Sequence, residues 1–457
     1  MIKRLGKRVG VYGYGRTGRA CVEYLLPRLI TPVVLLDQVS DAQLAELKAE
    51  ADGRFELAIG GEVGTSINKL DALLLSPGVP VLNPSVQSAI EQGIPVFSEL
   101  ELAASSCPGY ILAITGTNGK STTTKMLGHV LSALGPAHVL GNIGEPLLGS
   151  LDEINEGDYV ALEVSSFQLE AIERFKPHVA IFTNLTPDHL DRHGTIEEYA
   201  RVKRSMAKNM DHGDFVITNA LCAEFAPDRF NSQEPTFLQY RAVPGTPLKG
   251  AWVENGQIRV DLGREQFTVP AECVKLPGNH NMENALAVVT AALLMGATPQ
   301  TITERLSTFT GYEHRLELCR TAGSVRFYND SKATNPEATI TALKAMDPPL
   351  ALILGGRDKM TDLTELCNWV KRKVSDVVLV GEAAGRFGEA LAQSGFDSVQ
   401  FVDNLEQGVP AAYSKVSAAG GTVLLSPACA SFDQYGSYEE RGEHFKEIVA
   451  ELPVEGR

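Results

Sequence analysis

Several things are scarce in this 457-residue chain, and each scarcity removes a class of protein. The seven cysteines (21, 107, 222, 273, 319, 367 and 429) form no C-x-x-C pair and no close-spaced even framework. That excludes a disulfide-stapled scaffold, disfavours a cysteine-based zinc site, and makes a reducing, cytoplasmic compartment the expectation. No apolar run approaches the ~18 residues that a membrane span needs. The opening "MIKRLGKRVGVYGYG" is basic and then apolar, but its apolar part is short and broken by glycine. It reads as a strand entering a turn, not as a leader. Basic residues are outnumbered, 41 Lys and Arg against 56 Asp and Glu, for a formal net charge of −15. Nucleic acid and anionic membrane are therefore not expected partners, whereas an anionic small molecule needs only a local positive pocket. Low-complexity linkers and short-period repeats are missing too.

What is present fits an α/β enzyme. The chain is 44% hydrophobic with 42 glycines, and its length corresponds to about three ordinary domains. Residues 1–100 alternate short β-branched runs ("RVGVYGYG", "PVVLLDQ", "LDALLLSPGV", "IPVFSE") with helical patterns, which predicts a parallel sheet with crossover helices. Residues 101–311 continue this rhythm through "YILAIT", "AHVLGN", "DYVALEVSS", "HVAIFTNLT" and "DFVITNA". The stretch around 228–275 changes to short alternating strands and reads as a small antiparallel appendage. A helical pair follows, with Gly296 as a C-cap. Residues 312–457 repeat the doubly wound pattern in "VRFYNDS", "LALILGG", "DVVLVGE", "SVQFVDN" and "GTVLLSPA".

Two glycine turns stand out. "GYGRTG" (Gly13 to Gly18) matches G-x-G-x-x-G, with Asp37 at the end of the next strand. This is a Rossmann-like signature, and it suits a nicotinamide or flavin, another nucleotide such as UDP, or a structural turn. The second turn is Gly116-Thr117-Asn118-Gly119-Lys120-Ser121-Thr122, between a strand and a helix. Backbone N–H groups and a helix N-terminus hold phosphate oxygens, lysine adds charge, and a hydroxyl can ligate Mg²⁺. It is a shortened version of the usual cradle, because Ile114 stands where the first glycine belongs.

Ligands of α/β sheets bind beyond the carboxyl ends of strands, and polar residues collect there. They are Glu163, Ser165 and Ser166; Asp188, His189, Asp191 and His193; Asp330, Ser331, Lys332, Thr334 and Asn335; Arg357, Asp358 and Lys359; and Ser431 and Asp433. Glu163 is placed to reach Mg²⁺ opposite Ser121. "DHLDRH" lacks the helical spacing of a zinc motif, so one histidine in a Mg²⁺–substrate site is favoured over a zinc centre, with a histidine merely hydrogen-bonded at a helix start as the plain alternative.

With these residues assembled, the chain resembles the Mur ligase family, the ATP-dependent amide-forming enzymes of peptidoglycan precursor synthesis. "GTNGKST", "EVSSFQLE", "TNLTPDHLDRHGT", "GNHNMENALA", "YEHRLE" and "NDSKATNPEAT" stand in the family's order, over essentially the whole length. "NDSKATN" and "SPACASFDQYGSYEERGEHF" point to the branch that adds D-glutamate to UDP-N-acetylmuramoyl-L-alanine. The resemblance implies three domains: a Rossmann-like UDP-substrate domain (1–100), a P-loop NTPase-like ATPase domain (101–311) and a Rossmann-like amino-acid domain (312–457). It places Arg16, Thr17, Asp37, Gln38, Ser76 and Asn142 on the UDP-sugar. Gly116 to Thr122, Asn284, Arg315 and Asp330 fall to ATP. Ser121, Glu163 and His189 fall to two Mg²⁺ ions, joined by Lys203 as a CO₂-derived carbamate. Read without the resemblance, Lys203 is a solvated basic-face lysine. Thr334, Lys359, Ser431 and Tyr438 would grip D-glutamate. Two positions depart from the pattern: Arg357-Asp358-Lys359 follows "LGG" where relatives place an acid first, and Tyr438 stands where some have Phe.

The implied reaction phosphorylates the substrate carboxylate and lets the amino-acid amine displace phosphate. The product feeds cell-wall biogenesis, and with it cell shape and division; a cytoplasmic monomer that closes on its ligands is expected. The alternatives are a sister ligase for another amino acid or a folate glutamyl tail, a nucleotide-dependent switch without a ligase step, and, most weakly, a nicotinamide oxidoreductase.

Overall fold

The computed structural model describes residues 4–28, 30–232, 234–243, 249–311, 313–358 and 360–453, the side chains of residues 41, 42 and 191 excepted. The boundary residue Tyr312 and the site candidate Lys359 lie outside the described residues, as does the side chain of Asp191. Among the described residues three sheets form. Packing divides the chain into two compact units, residues 1–274 with 282–307, and residues 275–281 with 308–457.

The first unit holds two sheets. β1 (Arg8–Tyr12), β2 (Thr31–Leu36), β3 (Glu56–Ile59), β4 (Ala72–Leu75) and β5 (Val96–Ser98) pair in the order β3-β2-β1-β4-β5, all parallel. Strands such as β4 are buried throughout, so they read as unbroken apolar runs. β3, "ELAI", was not anticipated from the sequence: it is four residues long and begins on a charge.

The second sheet comprises β6 (Tyr110–Thr115), β7 (Ala137–Gly141), β8 (Tyr159–Glu163), β9 (Val179–Phe182), β10 (Phe215–Asn219), β11 (Thr236–Arg241), β12 (Gly250–Glu254), β13 (Gln257–Asp261) and β14 (Gln266–Pro270). Their order is β14-β13-β12-β11-β10-β9-β6-β8-β7. The expected antiparallel appendage is therefore corrected. β11 and β12 continue the parallel ladder from β10, and only β12-β13-β14 run antiparallel, as the sheet's edge. The β12–β13 turn, Asn255-Gly256, has φ of 51° and 71°. Two positive φ values suit the twist of a tight hairpin, and Asn-Gly supplies them at low cost.

Between these sheets runs the helix Glu99–Ala104, capped by Ser98. Its Glu101 is 1% exposed, and its carboxylate accepts hydrogen bonds from the backbone N–H groups of Glu173, Arg174 and Phe175 at 2.9, 2.7 and 2.9 Å. Glutamine can satisfy only part of this set and turns its own N–H₂ toward N–H donors. Glu101→Gln is expected to lower unfolding stability by about 2–4 kcal/mol, measured by denaturant titration, because buried donors lose a charged acceptor.

The second unit holds β15 (Glu317–Ala322), β16 (Val325–Asn329), β17 (Leu350–Gly355), β18 (Asp376–Val380), β19 (Val399–Val402) and β20 (Gly421–Leu425), in the order β15-β16-β20-β17-β18-β19. All pairs are parallel except β15–β16.

Every cysteine is buried or half-buried and none is disulfide-bonded. Burial pushes the Cys222 thiol up to about 11 and those of Cys319 and Cys429 up to about 12. No described helix is long and apolar enough to cross a membrane.

Candidate active site

The turn after β6 needs both of its glycines because neighbouring side chains pack directly against them. Gly116 has φ 144° and Gly119 φ 82°. A Cβ on Gly116 would lie 1.9 Å from Thr183 Oγ1, and one on Gly119 would lie 2.5 Å from Asn284 Oδ1. Only glycine fits both conformation and space. The loop is pinned from the β9 side: Asn118 N–H donates to Asn184 Oδ1 at 2.9 Å, and Thr183 Oγ1 donates to Asn118 O at 2.7 Å. Thr117 Oγ1 donates to Thr186 O and accepts from Thr186 N–H, both at 3.1 Å. The helix Lys120–Leu131 starts at once, carrying Ser121 and the buried Thr122 on its first turn. Its unsatisfied N–H groups and dipole favour an anion there.

Two lysines converge on one carbonyl of this loop. Lys120 Nζ donates to Gly116 O at 3.1 Å and to Thr117 O at 2.8 Å, and Lys203 Nζ donates to the same Gly116 O at 2.9 Å. Lys203 is 1% exposed, and its ammonium lies 4.4 Å from the centre of the Tyr199 ring. Burial, and secondarily the charge of Lys120, holds its amine well below the usual lysine range; Asp188 and Glu163 oppose that shift. The solvated basic face that the bare sequence suggests for Lys203 is thereby corrected: the helix Ile196–Arg204 turns this residue inward.

Glu163 ends β8, next to β6 in the sheet. Its Oε1 accepts from Asn142 Nδ2 at 2.8 Å, whereas its buried Oε2 has no hydrogen-bond partner among the described residues. A buried carboxylate oxygen left open beside two lysines and a phosphate cradle suits a hard cation. Among the described residues, no three His, Cys, Asp or Glu side chains gather into a complete cage. Mg²⁺ seldom needs one, because it takes one or two carboxylates with phosphate and water oxygens. Asn142, expected on the sugar, is here the residue that orients Glu163.

His189, beyond β9, is half exposed in the left-handed region (φ 52°), with its ring 4.8 Å from that of Phe167 and Nε2 3.5 Å from Asp188 Oδ2. His193 instead turns inward to Ser166 Oγ at 3.0 Å, and burial lowers its pKa. Arg192, between them, anchors the loop. It makes a bidentate pair with Glu170 (2.8 and 2.6 Å) and donates to Pro77 O at 2.7 Å and Val79 O at 3.3 Å, so the DHLDRH segment is tied to the turn after β4.

That turn belongs to the first sheet's own cluster. Gly13 has φ 86°, its carbonyl accepts from Ser76 Oγ at 2.8 Å, and a Cβ on Gly18 would lie 2.1 Å from Gly13 O. Asp37 accepts from the Tyr12 hydroxyl and from Asn83 Nδ2 at 3.3 Å. Burial first, then Asp37, raises Tyr12 to about 12. Arg16 is exposed and donates to Gly144 O at 2.6 Å; Thr17 is half-buried and Gln38 exposed. The expected UDP-sugar residues of this sheet thus sit at the carboxyl ends of β1, β2 and β4.

In the second unit, Asp330 follows β16 and is 4% exposed. It accepts from Ser426 Oγ at 2.6 Å and Leu316 N–H at 3.2 Å, and burial pushes it up to about 7. Arg315, one residue before Leu316, is half-buried and acts electrostatically on Asp330. Ser431 is buried, while Thr334 and Tyr438 are half-buried. Asp358 is held by Arg386, so the departure after "LGG" has a local structural partner. Arg357 is exposed and pairs by backbone with Ala430. Sequence reasoning missed Tyr199, Glu170, Arg192 and Arg441. Glu170, Arg192 and Arg441 are ordinary helix or loop residues whose partners are remote in the chain, and Tyr199 meets Lys203 only because their helix turns both inward.

Three family models match the chain: a Mur ligase MurD-like N-terminal domain over residues 7–98, a Mur ligase middle domain over 114–292, and a Mur ligase glutamate ligase domain over 314–429. The chain is 39% identical over 452 residues to UDP-N-acetylmuramoylalanine–D-glutamate ligase of Pelotomaculum thermopropionicum, with 98% of each chain covered. It is 40% identical over 453 residues to the protein of that name from Koribacter versatilis, again with 98% of each covered. Among solved structures, MurF from Acinetobacter baumannii shares the fold at TM-score 0.57 and 16% identity, covering 94% of this chain and 88% of that one. UDP-N-acetylmuramate-alanine ligase MurC from Thermotoga maritima does so at TM-score 0.55 and 19% identity, covering 97% and 99%. The cradle, the inward lysine and the open carboxylate oxygen therefore sit in a chain that belongs to the Mur ligase family.

Proposed function

We propose that this chain is an ATP-dependent ligase that joins D-glutamate to UDP-N-acetylmuramoyl-L-alanine, releasing ADP and phosphate, in peptidoglycan precursor synthesis. The observation that carries the reading is the meeting of Lys120 and Lys203 at Gly116 O, with the unpartnered Glu163 Oε2 nearby. A free carboxylate resists nucleophiles because of its charge. Transfer of the ATP γ-phosphoryl group to the alanyl carboxylate gives an acyl phosphate and ADP. The D-glutamate amine then adds to its carbonyl carbon, loses a proton, and phosphate leaves from the tetrahedral intermediate as the amide forms.

The chain's parts divide accordingly, with domains at 1–100, 101–311 and 312–457. Arg16, Thr17, Asp37, Gln38 and Ser76 bind the uridine diphosphate, and Asn142, which also donates to Glu163 Oε1, reaches the sugar side. The turn Gly116 to Thr122, with Asn284, Arg315 and Asp330, binds ATP. Ser121, Glu163, His189 and Lys203, the last as a carbamate, would hold two Mg²⁺ ions, which would supply positive charge to the transferred phosphoryl group. Thr334, Lys359, Ser431 and Tyr438 hold the amino acid. The enzyme acts as a cytoplasmic monomer. A sister ligase with another amino acid is the second reading; the departure at Arg357-Asp358 bears on the amino-acid contacts, not on the chemistry.

One assay separates them: ADP release with ATP, UDP-N-acetylmuramoyl-L-alanine and a panel of D- and L-amino acids. Sustained release is expected with D-glutamate alone. Equal release from ATP without the sugar nucleotide would refute a ligase, and a preference for another amino acid would select the sister reading.

A further inference from the structure

The helix Tyr438–Glu451 buries one arginine on its first turn, and that arginine holds the ends of two strands. Arg441 is 3% exposed. Its Nε donates to Ser331 Oγ at 2.9 Å, and Nη2 donates to Ser331 O at 2.8 Å and Cys429 O at 3.1 Å; Nη1 donates to Ala430 O at 3.2 Å. Ser331 Oγ passes the chain on to Tyr438 O at 2.8 Å. The guanidinium thus fixes the segment after β16 and the segment after β20 against the start of its own helix. Ala430 O also accepts from Arg357 N–H at 2.9 Å, which brings in the segment after β17.

All its hydrogen-bond partners are uncharged. Among the described residues Arg441 has no carboxylate within ion-pair distance; Asp433 acts on it only through space, and an Asp433 oxygen accepts from Glu382 N–H at 3.1 Å. Asp358, which acts electrostatically on the neighbouring Cys429, is committed to Arg386. Burial lowers Arg441 only to about 10, so it is cationic at neutral pH. Buried charges are ordinarily paired. Here carbonyls and a hydroxyl, not an ion pair, solvate the guanidinium, whose partners Ala430 and Ser331 lie next to Ser431 in the chain and on the Tyr438 carbonyl respectively.

We propose that Arg441 is the positioning residue that makes the amino-acid pocket select a substrate with a side-chain carboxylate: its fork fixes the Ser431 and Tyr438 segments, and its charge, held in no ion pair among the described residues, favours the second anionic group. The inference rests on the ligase reading above. It separates two jobs, geometry and charge, that different substitutions remove.

The test uses the full-length protein as R441M and R441K, with ADP release measured for D-glutamate and for its neutral near-isostere D-glutamine. R441M is expected to raise KM for D-glutamate about 10-fold or more and to narrow the glutamate-to-glutamine ratio of kcat/KM. KM for ATP and for the sugar nucleotide should stay within about 2-fold. R441K keeps the charge but not the planar fork, so it should retain the ratio while kcat falls. Equal losses for both amino acids in R441M, or a change of the ratio in R441K, would overturn the proposal. Should R441M fail to fold by its melting transition, R441K decides: a retained ratio with lowered kcat supports it, and unaltered kinetics refute it. Failure of the parent reading is distinct, because the unmodified protein itself would then not turn over with D-glutamate.

Discussion

Replacing Lys203 by arginine is expected to lower kcat by about 10³-fold or more while the protein remains folded. The amine is buried, shares Gly116 O with Lys120, and is held well below the usual lysine range. A lysine so placed has two chemical fates. As a plain ammonium it would be one more cation behind a phosphate site, and arginine, equally charged and able to donate to the same carbonyl, would substitute tolerably. As a neutral amine it can add to CO₂, losing one proton and becoming an anionic carbamate that ligates metal. Arginine cannot do this, and if the carbamate holds metal, its loss would remove several kcal/mol of transition-state stabilisation. The pH dependence has a definite sign. Protonation competes with CO₂, so activity in CO₂-depleted buffer should fall as pH drops through the amine's depressed pKa and recover with added bicarbonate. Labelled bicarbonate should give a carbamate signal by ¹³C NMR in the unmodified protein and none in K203R. Full activity of K203R would dismiss the carbamate.

The second large effect is expected at Glu163. E163Q preserves shape and the acceptor for Asn142 Nδ2, yet removes the charge at the open Oε2 position. If that oxygen faces Mg²⁺, kcat at fixed Mg²⁺ should fall on the order of 10²–10³-fold, with part of the loss recovered at high Mg²⁺. Folding stability should change by less than about 1 kcal/mol, because one unpaired polar atom replaces another. Melting temperature together with a Mg²⁺ titration of ADP release checks both. A fall in stability without a shift in Mg²⁺ dependence would assign Glu163 a purely structural role.

The sequence made some of this legible and hid the rest for physical reasons. The phosphate turn was readable because a strand, a glycine turn and a helix start lie within a dozen residues, and each local choice agrees with the others. Glu163 was readable as a strand end in the same sheet. The environment of Lys203 was not, because its hydrogen-bond partner Gly116 is 87 residues away. Residues 236–270 revealed alternation but not the strand they join; pairing β11 to β10 is a tertiary choice that periodicity leaves open. Arg441 sits in "YEERGEHF", where charges on an amphipathic helix look solvated, and only its bonds to Ser331, Cys429 and Ala430 distinguish it.

The thiols described above open an experimental route. Because the native cysteines are shielded, and burial raises those of Cys21, Cys107, Cys222, Cys319, Cys367 and Cys429, they should react slowly with maleimides at neutral pH. Cysteines introduced at exposed positions, such as Glu91 in one compact unit and Glu447 in the other, would outcompete them. Donor and acceptor dyes could then be attached to an otherwise unaltered chain, and energy transfer would follow the two units through a catalytic cycle.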